Sequence, residues 1–171
     1  MMDYNLIVHY SSEKGYFSAR KEIEKFLVSL GEKKPVIDKL RDGSVIGIKT
    51  NRSVNDLIEE LKEKSFANPG EFSATERWIP IEVWCPAGLS RIQREINDML
   101  AQISSGERWS AEIETWGRTP SSDEILQLLK NSIKERFVDE GGSKTVFIEF
   151  QGDECAISIL KPNDVFVVIQ I

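Results

Sequence analysis

Residues 145–160 read TVFIEFQGDECAISIL and contain two apolar runs separated by a short polar break. The runs Thr145–Phe150 and Cys155–Leu160 are rich in β-branched and aromatic residues, which predicts two strands. Gly152 and Asp153 are typical turn residues, so we expect the two strands to form an antiparallel hairpin. A further strand is predicted over Val165–Ile171. The chain is therefore expected to end in a β-sheet.

Two helices and a strand are predicted between residue 89 and this hairpin. The first helix has its apolar residues at helical spacing on one face, namely Leu89, Ile92, Ile96, Met99, Leu100 and Ile103. A strand is predicted over Ala111–Trp116. Ser121 and Glu124 have the spacing of a capping box. They open a second helix with the apolar side Ile125, Leu128, Leu129, Ile133 and Phe137.

The first half of the chain predicts the order βαββαβ. Helices are expected from Ser18 to Leu30 and from Ser53 onward, and strands near residues 5–10, 36–40, 44–49 and 77–84. Asp42-Gly43 is a strong hairpin turn between the second and third strands. Pro80 inside the last strand indicates an edge strand or a bend. This order is that of a ferredoxin-like domain.

The predicted fold class is α+β, with a ferredoxin-like domain at 1–86 and a second domain at 87–171. The boundary is placed at Pro86-Ala87-Gly88, between the last strand of the first half and the first helix of the second. A chain of 171 residues is long enough for two small domains.

The charge balance is acidic, with a formal net charge of −6. Residues up to Pro86 include 13 basic and 14 acidic ones, and the remainder 9 and 14, so the two parts carry −1 and −5. Neither part is a basic nucleic-acid-binding domain of the usual kind, and any RNA site must be a local patch. No signal peptide or membrane-spanning run is predicted. Cys85 and Cys155 are expected to be buried thiols in a reducing cytoplasm.

The residue types needed for catalysis are scarce. His9 is the only histidine, which argues against nucleophile–histidine mechanisms and against histidine-rich metal sites. No phosphate-binding glycine loop occurs, because Gly141-Gly142 precedes a strand instead of a helix. Glu112 and Glu114 are two positions apart and so lie on the same face of the predicted strand, where they are interpreted as solvent-exposed carboxylates at the edge of a sheet. The sequence thus predicts no catalytic residue, no metal site, no cofactor and no enzymatic activity of its own.

Three stretches carry a resemblance to a known family: Phe72–Glu82, Ile113–Ser122, and Val146–Asp153 followed by Ala156–Pro162. They resemble archaeal stand-alone THUMP proteins, which are related to the accessory factor for tRNA N4-acetylcytidine formation. The resemblance implies a ferredoxin-like domain followed by a THUMP domain. It also implies a tRNA-binding helper whose partners are tRNA and a separate RNA acetyltransferase or other modifying enzyme.

Five cations are predicted to contact RNA, because phosphates are bound by Lys and Arg and unpaired bases stack on aromatic or Arg planes: Arg118, Lys130, Lys134, Lys144 and Arg77. Arg118 precedes a capped helix start, where a phosphate could bind. Lys130 and Lys134 are expected one turn apart on a helix flank, although Lys130 could instead pair with Glu135. Trp78, beside Arg77, could stack a base or belong to the core. The acidic balance keeps a second interpretation open, a protein–protein adaptor of an RNA-modifying complex with little direct RNA binding.

Overall fold

The computed structural model describes residues 1–169, within which ten strands and four α-helices form. These elements pack as two units, each with its own core. The first unit comprises residues 3–81 and the terminal segment from Asp164, and the second comprises residues 1–2 and 82–163.

The first unit has the predicted βαββαβ order, which confirms the ferredoxin-like arrangement. Its elements are β1 (Leu6–Tyr10), α1 (Tyr16–Ser29), β2 (Val36–Lys39), β3 (Val45–Lys49), α2 (Val54–Ala67) and β4 (Thr75–Pro80). Helix α1 begins before the expected cap at Ser18. Its N-cap residue is Gly15, where the chain turns with a φ of 87°, and no side chain caps this helix. Ser53 caps α2 as predicted, since its side chain accepts a hydrogen bond from the Asp56 N–H.

The second unit has the predicted helix–strand–helix–strands order. Its elements are β5 (Val83–Pro86), α3 (Leu89–Met99), β6 (Arg108–Glu114), α4 (Ser122–Ser132), β7 (Arg136–Phe137), β8 (Lys144–Gln151) and β9 (Glu154–Leu160). The predicted hairpin is present as β8 and β9, and Gly152 in its turn has a φ of 62°. The sheet order is β5-β9-β8-β6-β7, with β6 parallel to both β7 and β8.

One face of this second sheet packs against α3 and α4. The core residues alternate along the strands, as expected when one face of each strand is turned to the helices. They are Cys85, Ile92, Ile96, Met99, Ile103, Trp109, Ile125, Leu129, Ile133, Val146, Ile148, Phe150, Cys155, Ile157 and Ile159. The predicted helical and strand core positions of this half are thus mostly buried.

The region around Phe137 differs from the prediction. The apolar spacing predicted one helix that included Phe137, but α4 ends at Ser132 and Phe137 lies in β7. Trp109 explains the difference: its indole N–H donates to the Glu135 carbonyl (2.9 Å), and its own carbonyl accepts from the Val138 N–H (2.8 Å). These bonds hold residues 135–138 alongside β6 as a short strand. Strand β6 correspondingly begins at Arg108, ahead of the predicted Ala111.

The terminal segment belongs to the first unit, not to the second as the predicted domain 87–171 had it. Strand β10 (Phe166–Val167) pairs antiparallel with β4, so that the first sheet has the order β10-β4-β1-β3-β2. Phe166 is buried against Phe72, with ring centroids 5.8 Å apart. Gln170 and Ile171, the end of the predicted strand Val165–Ile171, lie outside the described residues.

The stretch predicted as one strand near residues 77–84 is split at its bend. Strand β4 ends at Pro80 and pairs with β1, whereas β5 begins at Val83 and pairs with β9 of the other sheet. The Ile81 N–H donates to Asn5 and the Glu82 N–H to Ile157, so the change of sheet falls between these two residues. Packing therefore assigns residues 82–86 to the second unit instead of to the predicted domain 1–86.

Candidate nucleic-acid interface

Arg118 lies in the loop between β6 and α4 and binds the protein's own backbone. Its Nη1 donates to the Gly152 carbonyl at 2.8 Å, which ties the loop to the β8–β9 turn. The neighbouring helix start is also occupied: Ser121 Oγ accepts from the Glu124 N–H, and the Glu124 carboxylate accepts from the Ser121 N–H. Asp123 and Glu124 already supply negative charge at this N-terminus. The geometry therefore does not favour the phosphate position predicted here.

Lys144, at the start of β8, is engaged in a local network. Its Nζ lies 2.9 Å from Glu107 Oε1 and donates to the Gln102 carbonyl at 2.6 Å. The pKa of Glu107 is lowered to about 2 by the hydrogen bond from the Ser104 N–H, by that from Lys144 and by that from the Ser143 hydroxyl. The charge of Lys144 is thus balanced within the chain and holds the 104–107 turn to the sheet.

Lys130 and Lys134 do not share a helix flank, because α4 ends between them at Ser132. Lys130 is exposed, and its Nζ lies 4.5 Å from the centroid of the Phe137 ring, a cation–π contact. Lys134 is exposed in the short connection to β7. Both lysines nevertheless lie near β7. Lys130 contacts Phe137 of that strand, and Lys134 precedes the strand by two residues.

Arg77 belongs to the first unit, on β4, where its register partners are His9 and Val167. The adjacent Trp78 is fully buried, and its ring packs edge-on against Phe26 with centroids 5.8 Å apart. The indole N–H donates to Thr75 Oγ1. Trp78 is therefore a core residue of the first unit and cannot stack on a base.

Two cations that sequence reasoning missed, Arg108 and Arg136, stand side by side on neighbouring strands. They are direct register partners in the parallel β6–β7 pair, and both are exposed. Partners in neighbouring parallel strands point to the same face, about 4.8 Å apart. The next pair, Trp109 and Phe137, points to the opposite face and packs with ring centroids 4.9 Å apart. The two guanidinium groups therefore project together from the face that is turned away from these rings.

We call Arg108, Lys134 and Arg136 the basic edge; Lys130 is not included, because it lies over the Phe137 ring on the opposite face of the sheet. Within residues 1–169 the side chains of Arg108, Lys134 and Arg136 form no ion pair or hydrogen bond. Strand β7 is the outer strand of the second sheet as far as the structure describes it. The basic edge thus places positively charged side chains that form no ion pair at an accessible border of an acidic protein. No sequence signal marked Arg108, because the strand was expected to start after it.

Groups that could hold a metal ion are not found in the described part of the chain: no three His, Cys, Asp or Glu side chains cluster suitably there. His9, in β1, is half-buried and has Val45 and Arg77 as register neighbours. None of the helices within residues 1–169 combines the length and the apolar character that crossing a bilayer requires.

Comparison with solved structures identifies the fold. The chain is similar to PH1313 from Pyrococcus horikoshii, with a TM-score of 0.64 and 15% identity over 91% of this chain and 53% of that one. It is also similar to a 4-thiouridine synthetase solved with RNA and bound ATP, with a TM-score of 0.55 and 11% identity over 92% and 41%. The fold is of the THUMP type.

A third structure, TrmN from Thermus thermophilus, is similar with a TM-score of 0.53 and 10% identity over 92% of this chain and 46% of that one. The chain thus spans about half the length of the structures it matches, 53% in one case and less in the others. At these identities the likeness shows the fold alone. No family model matches the sequence, and no curated protein matches it.

Proposed function

We propose that the protein binds tRNA and presents it to a separate modifying enzyme, without catalysing the modification itself. The observation that carries the proposal is the Arg108–Arg136 pair, two exposed guanidinium groups in cross-strand register that form no ion pair in the described part of the chain. The THUMP-type fold supports it, since a similar structure is that of a 4-thiouridine synthetase in complex with RNA.

Phosphate recognition fits the geometry of the basic edge. Arginine presents a planar fork of N–H donors that can bind phosphate oxygens bidentately. Two such groups on adjacent strands, about 4.8 Å apart at their backbones, can hold one phosphate or two successive ones. The net charge of −6 does not cancel this patch, because exposed charges beyond about 8 Å are largely screened at physiological salt.

The small size of the basic edge also sets the expected strength of binding. With about three phosphate contacts, a plot of the logarithm of the association constant against the logarithm of the salt concentration should have a slope of roughly −2 to −3. Binding should be clear at low salt and weak near physiological salt. Weak binding suits a protein that acts together with a separate enzyme that also binds the RNA.

For the modification itself we propose cytidine acetylation, with an RNA acetyltransferase as the partner. Support comes from a sequence resemblance to archaeal stand-alone THUMP proteins, which are related to the accessory factor for N4-acetylcytidine formation in tRNA. The stretches that carry it are Phe72–Glu82, Ile113–Ser122, Val146–Asp153 and Ala156–Pro162. We place the protein in the cytoplasm, where tRNA modification takes place and where free thiols such as those of Cys85 and Cys155 are the prevailing state of cysteine.

The binding site is tested by charge reversal. The double variant Arg108→Glu, Arg136→Glu should weaken tRNA binding at least tenfold, about 1.4 kcal/mol, in a filter-binding or anisotropy titration at low salt. The matched control is Lys21→Glu, Lys25→Glu on α1, which makes the same change in net charge at exposed positions. Equal losses in the two double variants would mean that only net charge matters and would remove the basic edge from the proposal.

The helper role is tested by reconstitution. Purified protein incubated with acetyl donor and unmodified tRNA should give no acetylcytidine after nuclease digestion and nucleoside analysis. Adding the acetyltransferase should give product, and the Arg108→Glu, Arg136→Glu variant should stimulate it less than the native protein does. Acetylcytidine formed by the protein alone would show that it is an enzyme.

The adaptor interpretation is favoured by one feature, an exposed apolar groove of about 560 Å³ beside β10 in the first unit. Its lining includes Phe66, Val167 and Ile169, which are 90%, 56% and 78% exposed. Exposed apolar side chains that cluster in this way are typical of protein-binding surfaces. If the protein is chiefly an adaptor, Phe66→Glu should abolish stimulation of the enzyme while the Arg108→Glu, Arg136→Glu variant retains it.

A further inference from the structure

The two cysteines of the chain face each other across β5 and β9. Cys85 and Cys155 are direct register partners in this antiparallel pair, and their Sγ atoms are 3.5 Å apart. Both side chains belong to the core beneath α3 and are 2% and 0% exposed. The sequence separates them by 70 positions, so only the fold brings them together.

The geometry of this pair suits a disulfide. Directly opposed residues in antiparallel strands have Cα atoms about 4.5–5.5 Å apart, which lies within the range that disulfides span. A separation of 3.5 Å between the sulfur atoms is close to a near-attack distance. A modest rotation of both side chains would bring the sulfurs to bonding distance without moving the strands apart.

We propose that Cys85 and Cys155 form a reversible thiol–disulfide site whose co-substrate is a small-molecule disulfide. In the first step the Cys85 thiolate attacks one sulfur of the small disulfide, forming a mixed disulfide and releasing one small thiolate, which takes up the proton that Cys85 gave to solvent. In the second step the Cys155 thiolate attacks Cys85 Sγ, and the second small thiol leaves with the Cys155 proton. The protein loses two electrons and two protons, and the small disulfide gains them.

The order of the two steps follows from the positions of the thiols, since Cys85 lies on the edge strand β5 and Cys155 on the inner strand β9. The contact with the Cys155 thiol lowers the pKa of Cys85, and the Arg91 charge acts in the same direction, whereas burial and the charges of Glu95 and Glu154 oppose the shift. Conversely, the pKa of Cys155 is raised by the same thiol–thiol contact and by burial. Cys85 is therefore the attacking thiol, and Cys155 reacts once the mixed disulfide has removed the charge beside it.

Access to the site is through the edge of the sheet. Strand β5 has only four residues and is the outermost strand on its side of the described sheet, opposite β7. Short edge strands open locally more readily than central ones, which would expose Cys85 while Cys155 stays on β9 between β5 and β8. The disulfide would then bind β5, and the start of α3 that follows it, covalently to β9.

The experiment follows the reaction by mass. The native full-length chain is incubated with oxidised glutathione, quenched with acid, and its intact mass is measured over time with matched Cys155→Ala and Cys85→Ala variants. We expect the wild-type protein to lose two hydrogens and to show little glutathione adduct. Cys155→Ala should accumulate the adduct at least tenfold more than wild type, and Cys85→Ala should react more slowly than Cys155→Ala.

Any of the following results would overturn the proposal: no reaction of the native wild-type chain, adduct accumulation in wild type equal to that in Cys155→Ala, or a disulfide only between two chains. Formation of the internal bond only after denaturant is added would equally count against it. The wild-type mass shift does not depend on the folding of either variant, and treatment of the product with excess glutathione should restore both thiols.

Discussion

Lys144 and Arg108 show how differently two cations near the starts of neighbouring strands can behave. Lys144 is held by Glu107 and by the Gln102 carbonyl, whereas the Arg108 side chain forms no ion pair or hydrogen bond within residues 1–169. The residue types alone predicted that Lys144 would bind RNA and did not single out Arg108. Partners decide whether a charge is available to a ligand, and partners close in space are often distant in sequence.

Glu107 gives a prediction at this scale, because hydrogen bonds lower the pKa of its carboxyl from 4.5 to about 2. A carboxyl whose pKa is depressed in the folded state stabilises the protein above its unfolded pKa and loses that contribution as pH falls. The Tm of the wild-type protein should therefore fall more steeply than that of Glu107→Gln between pH 5 and pH 2, with the two curves converging at the acid end.

Thermal unfolding followed by circular dichroism at several pH values measures this difference. The control is Glu140→Gln, since Glu140 is exposed and has no ion pair in the described part of the chain. Parallel curves for the wild-type protein and Glu107→Gln would show that the Glu107–Lys144 network does not stabilise the fold.

At the scale of elements, Gly142 explains how β8 comes to lie beside β6. A Cβ atom on Gly142 would lie 2.7 Å from the Ser110 backbone nitrogen and 2.8 Å from the Trp109 carbonyl carbon. Both contacts are with backbone, which cannot rotate away as a side chain can. Because Gly141-Gly142 precedes a strand, the sequence argued against a phosphate-binding loop there. The structure shows instead that Gly142 lies close to the backbone of Trp109 and Ser110, which leaves no room for a Cβ atom.

Gly142→Ala should therefore destabilise the protein by about 1–3 kcal/mol, the usual cost of overpacking. Chemical denaturation monitored by tryptophan fluorescence measures it, since Trp109 lies beside the substituted position. Gly70→Ala is the control, because a Cβ there meets nothing within 4 Å. Comparable stability of the two variants would show that β6 and β8 can move apart at little cost.

At the scale of the whole molecule, the chain returns from its second unit to complete the first. Strand β10 pairs with β4, and Phe166 is 5% exposed in a core with Phe72 and Trp78. Truncating a buried phenylalanine costs about 3–5 kcal/mol. Phe166→Ala should therefore lower the protection of β1 and β4 amides from hydrogen exchange, while β8 and β9 keep theirs.

The control for this prediction is Val167→Ala, at a neighbouring position that is 56% exposed. Such surface changes usually alter stability by no more than about 0.5 kcal/mol, so protection should match that of the wild-type protein. Loss of protection in β8 and β9 but not in β4 after Phe166→Ala would assign the terminal segment to the second unit, as the sequence had predicted.

The sequence by itself determined the α+β class, the βαββαβ order of the first half and the helix–strand–helix–strands order of the second. It also located the caps at Ser53 and Ser121 and the turns at Gly43 and Gly152. These features are local: apolar periodicity, side-chain caps and glycine conformations depend on residues a few positions apart.

Only the tertiary structure decided the strand order, the return of β10 to β4, the short strand β7 and the facing of Cys85 and Cys155. It also formed the basic edge, because Arg108 and Arg136 become neighbours only when β7 pairs with β6. Strand pairing joins residues that are far apart in the chain, and the side-chain period of two does not encode which strand becomes the neighbour. Packing around Trp109 made that choice, and the candidate RNA site follows from it.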